Sequence, residues 1–122
     1  MVLVDTSVWI RFLSNRAPFA AELENLLTRG EVSGHEFVLG ELLIGDKSGR
    51  EQLLADYVLM HQSPVVAHHE VVEFVRRRRL HGRGIGWIDA HLLASALVGR
   101  VDLWTVDPRL AAVAIEVGIN YG

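Results

Sequence analysis

The chain has 122 residues, half of them apolar, and a formal charge of −3. That suits one domain around one core and excludes a largely disordered or globally basic protein. It has no cysteine, which excludes disulfides, thiolate metal sites and cysteine nucleophiles and fits a reducing cytoplasm. No window approaches the ~20 apolar residues of a membrane helix, and the N-terminus, without a basic lead and broken by Asp5, does not read as a signal peptide.

Val2 to Val4 read as a short buried strand, ending on Asp5. SVWIRFL follows as a short helix that Asp5, Thr6 or Ser7 could cap. Pro18 opens a second helix, in which Ala20, Leu23, Leu26 and Leu27 recur at helical spacing up to Gly30. EVS is a second strand, HEFVLGELLIG an almost all-round apolar helix, DKSG a turn and REQLLADYVLM another helix, with Pro64 beyond it. AHHEVVEFVRRRRL is helical with arginines at its end, and HGRGIG is a glycine-rich hinge. WIDAHLLASALVG is a clear helix, VDLWTV a buried strand, and Asp107-Pro108 a strong start for the helix RLAAVAIEVG. INY is a possible last strand. Short apolar strands alternating with helices give an α/β fold, a parallel sheet with helices on both faces. The carboxyl ends of its strands share one edge, where sites form.

Four carboxylates attract attention in that frame. Asp5 and Asp107 end strands, Asp89 lies in the first turn of a helix whose preceding loop could arrive at the same edge, and Glu41 is surrounded by apolar residues. Each aspartate has an ordinary structural explanation. Asp5 could cap a helix, Asp107 before Pro108 is a good N-cap, and Asp89 gains from the helix dipole. Glu41 has no lysine or arginine at helical spacing, so it needs a partner from elsewhere. Together the four imply a common cause. Close like-charged pairs cost on the order of 4 kcal/mol each at an effective dielectric of ~20, unless they bind protons or a cation neutralises them. An oxygen-only set suits Mg²⁺ or Mn²⁺ better than zinc. Such ions recruit phosphate oxygens and activate water, so the chemistry implied is phosphodiester hydrolysis. Thr6, Ser7 and Thr105 could orient the waters.

VLVDTSVWI, VLGELLIG, GWIDAHLLASAL and LWTVDPRL, in this order over nearly the whole chain, resemble the acid-bearing segments of the PIN-domain nucleases. They look most like the VapC-type toxins of bacterial and archaeal toxin–antitoxin pairs. The resemblance implies a single nuclease domain over residues 1–122, built as a three-layer α/β/α sandwich with a parallel sheet of four to five strands. It implies Mg²⁺- or Mn²⁺-dependent endoribonuclease activity on an RNA substrate, a small antitoxin partner that covers the acidic groove, and a homodimer. Carried over by position, Asp5, Glu41, Asp89 and Asp107 become the catalytic, metal-binding acids, with Thr6 and Thr105 as supporting hydroxyls. GRGIG and RRRRL are not diagnostic of that family.

Five of the eleven arginines fall within eight residues, 76 to 83. Arg76, Arg79 and Arg83 are the candidate nucleic-acid contacts, because guanidinium forks pair with phosphate oxygens; a solvated helix end is the alternative. The six histidines show no HExxH spacing, and the glycine loop fails GxGxxG at Trp87. Trp9, Trp87 and Trp104 read as core residues or as stacking surfaces for bases. Two rival readings remain: an acidic-edged, non-catalytic module that only engages a partner protein, and a phosphoryl-accepting receiver, for which the single lysine, Lys47, is poorly placed.

Overall fold

The computed structural model describes residues 1–122. Four short strands, β1 (Val2–Val4), β2 (Val32–Gly34), β3 (His61–Gln62) and β4 (Asp102–Trp104), form one parallel sheet in the order β3-β2-β1-β4. Seven helices flank it: α1 (Thr6–Leu13), α2 (Phe19–Thr28), α3 (Glu36–Gly45), α4 (Glu51–Tyr57), α5 (His68–Arg78), α6 (Trp87–Gly99) and α7 (Pro108–Glu116). The expected α/β architecture with four to five parallel strands is what the chain adopts. The fifth position is reduced to one parallel bridge between Leu103 and Asn120.

β1 lies inside the sheet. Val2 pairs with Val32 and Asp102, and Leu3 with Ser33 and Leu103. All three of its residues are buried, which is why the segment is continuously apolar rather than alternating. From β1 the chain steps outward to β2 and β3, then returns to the other side of β1 as β4. That reversal of strand order opens a crevice beyond the carboxyl ends of β1 and β4. Beneath it lies a core of 22 residues in which Leu3, Trp9, Leu93 and Leu103 are fully buried. Trp9 meets Phe12 and Tyr57 edge-on, with ring centroids 5.7 and 5.6 Å away. Trp9 and Trp104 are thus core residues, whereas Trp87 remains 42% exposed.

Several expectations shift. The second strand begins at Val32 rather than Glu31, and the helix read through Met60 ends at Tyr57. The freed residues turn into β3, whose two exposed polar residues carry no apolar period to announce a strand. α3 is not wrapped in apolar neighbours: Leu43 and Ile44 are 60% and 89% exposed, and Val38 and Leu42 are its buried residues. Glu41 is therefore only half-buried, because α3 lies on the surface of the sandwich.

The β2 end is organised by a buried histidine. His35 caps α3 by accepting the Phe37 amide at Nδ1, and its Nε2 is 2.9 Å from Ser95 Oγ. Its backbone amide donates to the Tyr57 hydroxyl at 2.9 Å. Accepting at Nδ1 requires a neutral ring. Burial, with the nearby His91, lowers the His35 pKa from 6.5 to about 4, and burial pushes the Tyr57 phenol up to about 12. Because the folded pKa of His35 lies below the unfolded one, the unfolded chain takes up the extra proton. Stability is then full above pH ~6.5 and is lost as pH falls toward 4, by an amount of order 3 kcal/mol. Urea unfolding of wild type and His35→Gln at pH 7.5 and 4.5 checks this: the wild type is expected to lose the larger share on acidification, and equal losses would contradict it.

Candidate active site

Asp5 follows β1 and takes the N-cap position of α1, where its carbonyl accepts the Val8 amide at 3.0 Å. Its side chain makes no cap hydrogen bond. Instead Oδ2 accepts from Ser7 Oγ at 2.6 Å and Thr105 Oγ1 at 2.8 Å. Thr105 lies just past β4 and also accepts the Asp107 amide at 3.1 Å, while Ser7 Oγ accepts the Val106 amide at 3.2 Å. The carboxylate, 7% exposed, is therefore pinned between the ends of β1 and β4, and capping does not account for it.

The other acids approach the crevice from helices. Glu41 of α3 accepts from Thr6 Oγ1 of α1 at 2.7 Å on Oε1; this hydroxyl, not a cation, is the partner its sequence context demanded. Asp89, at the third position of α6, accepts the Gly86 amide on Oδ2 at 2.9 Å. Asp107 does cap α7, as expected, taking the Arg109 amide on Oδ1 at 2.9 Å; Arg109 Nε is 3.7 Å from the same oxygen. Asp89 shows that the acids share a field. Its pKa is raised first by burial, against the lowering effect of the Gly86 amide, and further by the charges of Asp5 and Asp107.

A common arrangement emerges. Each acid commits one oxygen to the protein: Oδ2 of Asp5, Oε1 of Glu41, Oδ2 of Asp89 and Oδ1 of Asp107. The second oxygen of each has no protein donor, and none of the four is sealed from solvent. No three of the side chains stand as a closed ligand set. The donor set fits a hard divalent ion: oxygen only, with one free oxygen on each acid and neutral donors fixing the others.

Thr6 and Thr105, read from sequence as hydroxyls that could orient waters, donate to Glu41 and Asp5. Ser7, read from sequence only as one of several hydroxyls, links Asp5 to the backbone beyond β4. A hydroxyl two residues after a strand-ending aspartate was its only sequence signal. The arginine run stands apart. Arg76 to Arg79 are exposed, and Arg77 pairs with Glu73 one turn earlier at 2.9 Å. Arg83 is committed elsewhere, in a two-pronged pair with Glu116 at 2.7 and 2.8 Å. Gly84 (φ +80°) lies against Arg109; a Cβ there would come within 2.7 Å of Arg109 Cδ.

The raised pKa of Asp89 means that the folded protein holds its proton more tightly than the unfolded chain. Stability contributed by this group is therefore greatest at low pH and falls as Asp89 ionises. Asp89→Asn keeps an acceptor for Gly86 and removes the charge. It is expected to raise the melting temperature of metal-free protein by a few degrees at pH 7.5; a lower one would contradict the cost of a charge that burial, and then Asp5 and Asp107, disfavour.

Residues 2–116 match the family model of the PIN domain. The chain is 48% identical over 120 residues to proteins named Ribonuclease VapC32 from two strains of Mycobacterium tuberculosis, CDC 1551 / Oshkosh and ATCC 25618 / H37Rv. Each alignment covers 98% of this chain and 94% of the relative. The crystal structure of PAE2754 from Pyrobaculum aerophilum superposes with a TM-score of 0.55 at 15% identity, over 96% of this chain and 88% of that one, a likeness of fold alone. By the family match and the near full-length identity, the chain belongs to the PIN-domain family, alongside its VapC-type members.

Proposed function

We propose that this protein is a metal-dependent endoribonuclease that hydrolyses RNA phosphodiester bonds as the toxin of a toxin–antitoxin pair. One observation carries the reading: Asp5, Glu41, Asp89 and Asp107 each hold one carboxylate oxygen in the protein and leave the other open at the carboxyl edge of the sheet. The similarity to relatives named as ribonucleases supports RNA as the substrate.

A phosphodiester brought to four carboxylates is repelled unless positive charge intervenes. Asp5, Glu41, Asp89 and Asp107 would hold Mg²⁺ or Mn²⁺ through their free oxygens. Bound there, such an ion supplies Lewis acidity toward the phosphate and a more nucleophilic water near neutral pH. The chain's own contribution is geometry. Ser7 and Thr105 fix the Asp5 carboxylate, and Thr6 fixes Glu41. The Gly86 and Arg109 amides do the same for Asp89 and Asp107. Arg109, mostly exposed beside Asp107, is placed to meet the strand's phosphates. Of the candidate nucleic-acid contacts, Arg76 and Arg79 are exposed for RNA, whereas Arg83 is held by Glu116. The antitoxin would cover the acidic edge and compete for the arginines. The exposed Leu43, Ile44 and Leu59 offer apolar area to a protein partner or a second copy.

Cleavage of a fluorescent RNA tests this. Asp5→Asn is expected to reduce the rate at saturating Mn²⁺ by more than ~100-fold while preserving the fold. Wild-type rates from that variant would sink the mechanism. Ser7→Ala and Thr105→Val act one shell out and are expected to raise the Mn²⁺ concentration for half-maximal activity about 10- to 100-fold. A thermal titration separates catalysis from mere binding of a partner: wild type at 100 times its dissociation constant for Mn²⁺ should gain ~2.7 kcal/mol, whereas no gain would favour the non-catalytic module.

A further inference from the structure

Beside α6, on the side away from Asp89, lies a cleft of about 550 Å³ that the acids do not use. Its walls include Phe37 at the start of α3, Val65 and Val66 between β3 and α5, His68 at the start of α5, and Trp87 and His91 on α6. All of these segments begin near the carboxyl edge of the sheet, the edge that carries the acids. Trp87 and His91 are one turn apart on α6, so they share a face; Asp89 projects from the opposite face of the same turn. The cleft and the acid are thus separated by about one helix diameter, ~10 Å, a span that adjoining nucleotides of one strand can bridge.

The walls are rich in planar rings. The centroids of His68 and Trp87 are 5.1 Å apart, those of Trp87 and His91 5.1 Å at 88°, and those of Phe37 and His91 4.8 Å. Trp87 keeps 42% of its surface exposed, although Trp9 and Trp104 are at 0% and 7%. His91 is only 3% exposed, yet its Nδ1 is buried with no hydrogen-bond partner. That atom is closed to a ligand, but Nε2 also lacks a protein partner and is not sealed from solvent, so the ring favours an occupant with polar edges. An apolar side chain from another protein would leave it unpaired. A nucleobase offers both a π-face and a hydrogen-bonding edge. No carboxylate lines the cleft, so nothing there repels a phosphate backbone.

We propose that this cleft is a nucleobase pocket, in which a base near the scissile phosphate stacks on Trp87 and presents its edge to the imidazole of His91. The proposal rests on the ribonuclease reading and deepens it: stacking supplies affinity for any base, and His91 supplies preference among bases.

Trp87 is the exposed tryptophan, so quenching of intrinsic fluorescence reports stacking in the cleft, while affinity is read from the anisotropy of a fluorescein on each hexamer. Uncleavable 2′-O-methyl hexamers of each base, and an abasic hexamer of equal charge, are titrated with Mg²⁺ present, and their integrity is checked afterwards. Base-bearing hexamers are expected to quench the emission. The abasic strand should not quench and should bind about 5- to 100-fold more weakly. Trp87→Leu should lose a similar factor for base-bearing strands, with circular dichroism confirming its fold. His91→Phe keeps the ring volume and should retain quenching but lose the ranking among the four homopolymers. Equal binding of the abasic strand, or unchanged affinity in Trp87→Leu, overturns the pocket. So does a change confined to sedimentation, which would make the cleft a contact between protein chains. Cleavage of unmodified RNA by the same samples separates the two readings. Cleavage with no dependence on bases sinks the pocket alone; neither cleavage nor binding of any hexamer sinks the ribonuclease reading as well.

Discussion

The carboxylate edge of this protein is held by neutral donors. Two hydroxyls fix Asp5, one hydroxyl fixes Glu41, and backbone amides fix Asp89 and Asp107. Arginine or lysine would orient these acids as well, but would also cancel the charge that a metal site needs. A hydroxyl or amide sets direction and leaves the negative charge in place. The one guanidinium within ion-pair distance of these carboxylates, that of Arg109, is 3.7 Å from Asp107 on the oxygen already used for capping. Like charges are thus concentrated without being discharged, and Asp89, its pKa raised first by burial and then by the charges of Asp5 and Asp107, bears part of the cost.

The sheet topology makes that concentration possible. A parallel sheet places every strand's carboxyl end on one edge, and the reversal of strand order beside β1 brings Asp5 and Thr105 face to face across 100 residues of sequence. The buried strands and the core beneath them supply the rigidity. The helices then deliver Glu41 and Asp89 from either side. The His35–Tyr57–Ser95 network stabilises the neighbouring β2 end, so that α3, which carries Glu41, starts from a fixed point.

How much of this the sequence announces depends on the range of the interaction. β1, α6 and the Asp107-Pro108 start are local patterns, namely a short apolar run, a helical stripe and a cap, and all three are legible. Glu41 is legible as an acid without an ordinary partner, whereas each aspartate alone also reads as a cap or a first-turn charge and only the set of four stands out. β3 is not, because two exposed polar residues at a sheet edge carry no periodicity. The surface position of α3 is not either, since a helix apolar all round reads as buried until its neighbours are known. Arg83 read as a free cation because Glu116, its partner, is 33 residues away. Ser7 could be read as a cap or as a pin, and only the approach of β4 decides. Trp87 reads as core or as a stacking surface, and His91 carries no signal of its own; the cleft they line depends on where three separate segments end.

Anomalous diffraction from crystals soaked in Mn²⁺ tests the central claim most directly. The account requires manganese density at the carboxyl edge, within coordination distance of the free oxygens of Asp5 and Asp89, with the Ser7 and Thr105 contacts to Asp5 intact. A well-soaked crystal with manganese bound only elsewhere, or with these carboxylates turned away into amide contacts, would contradict it.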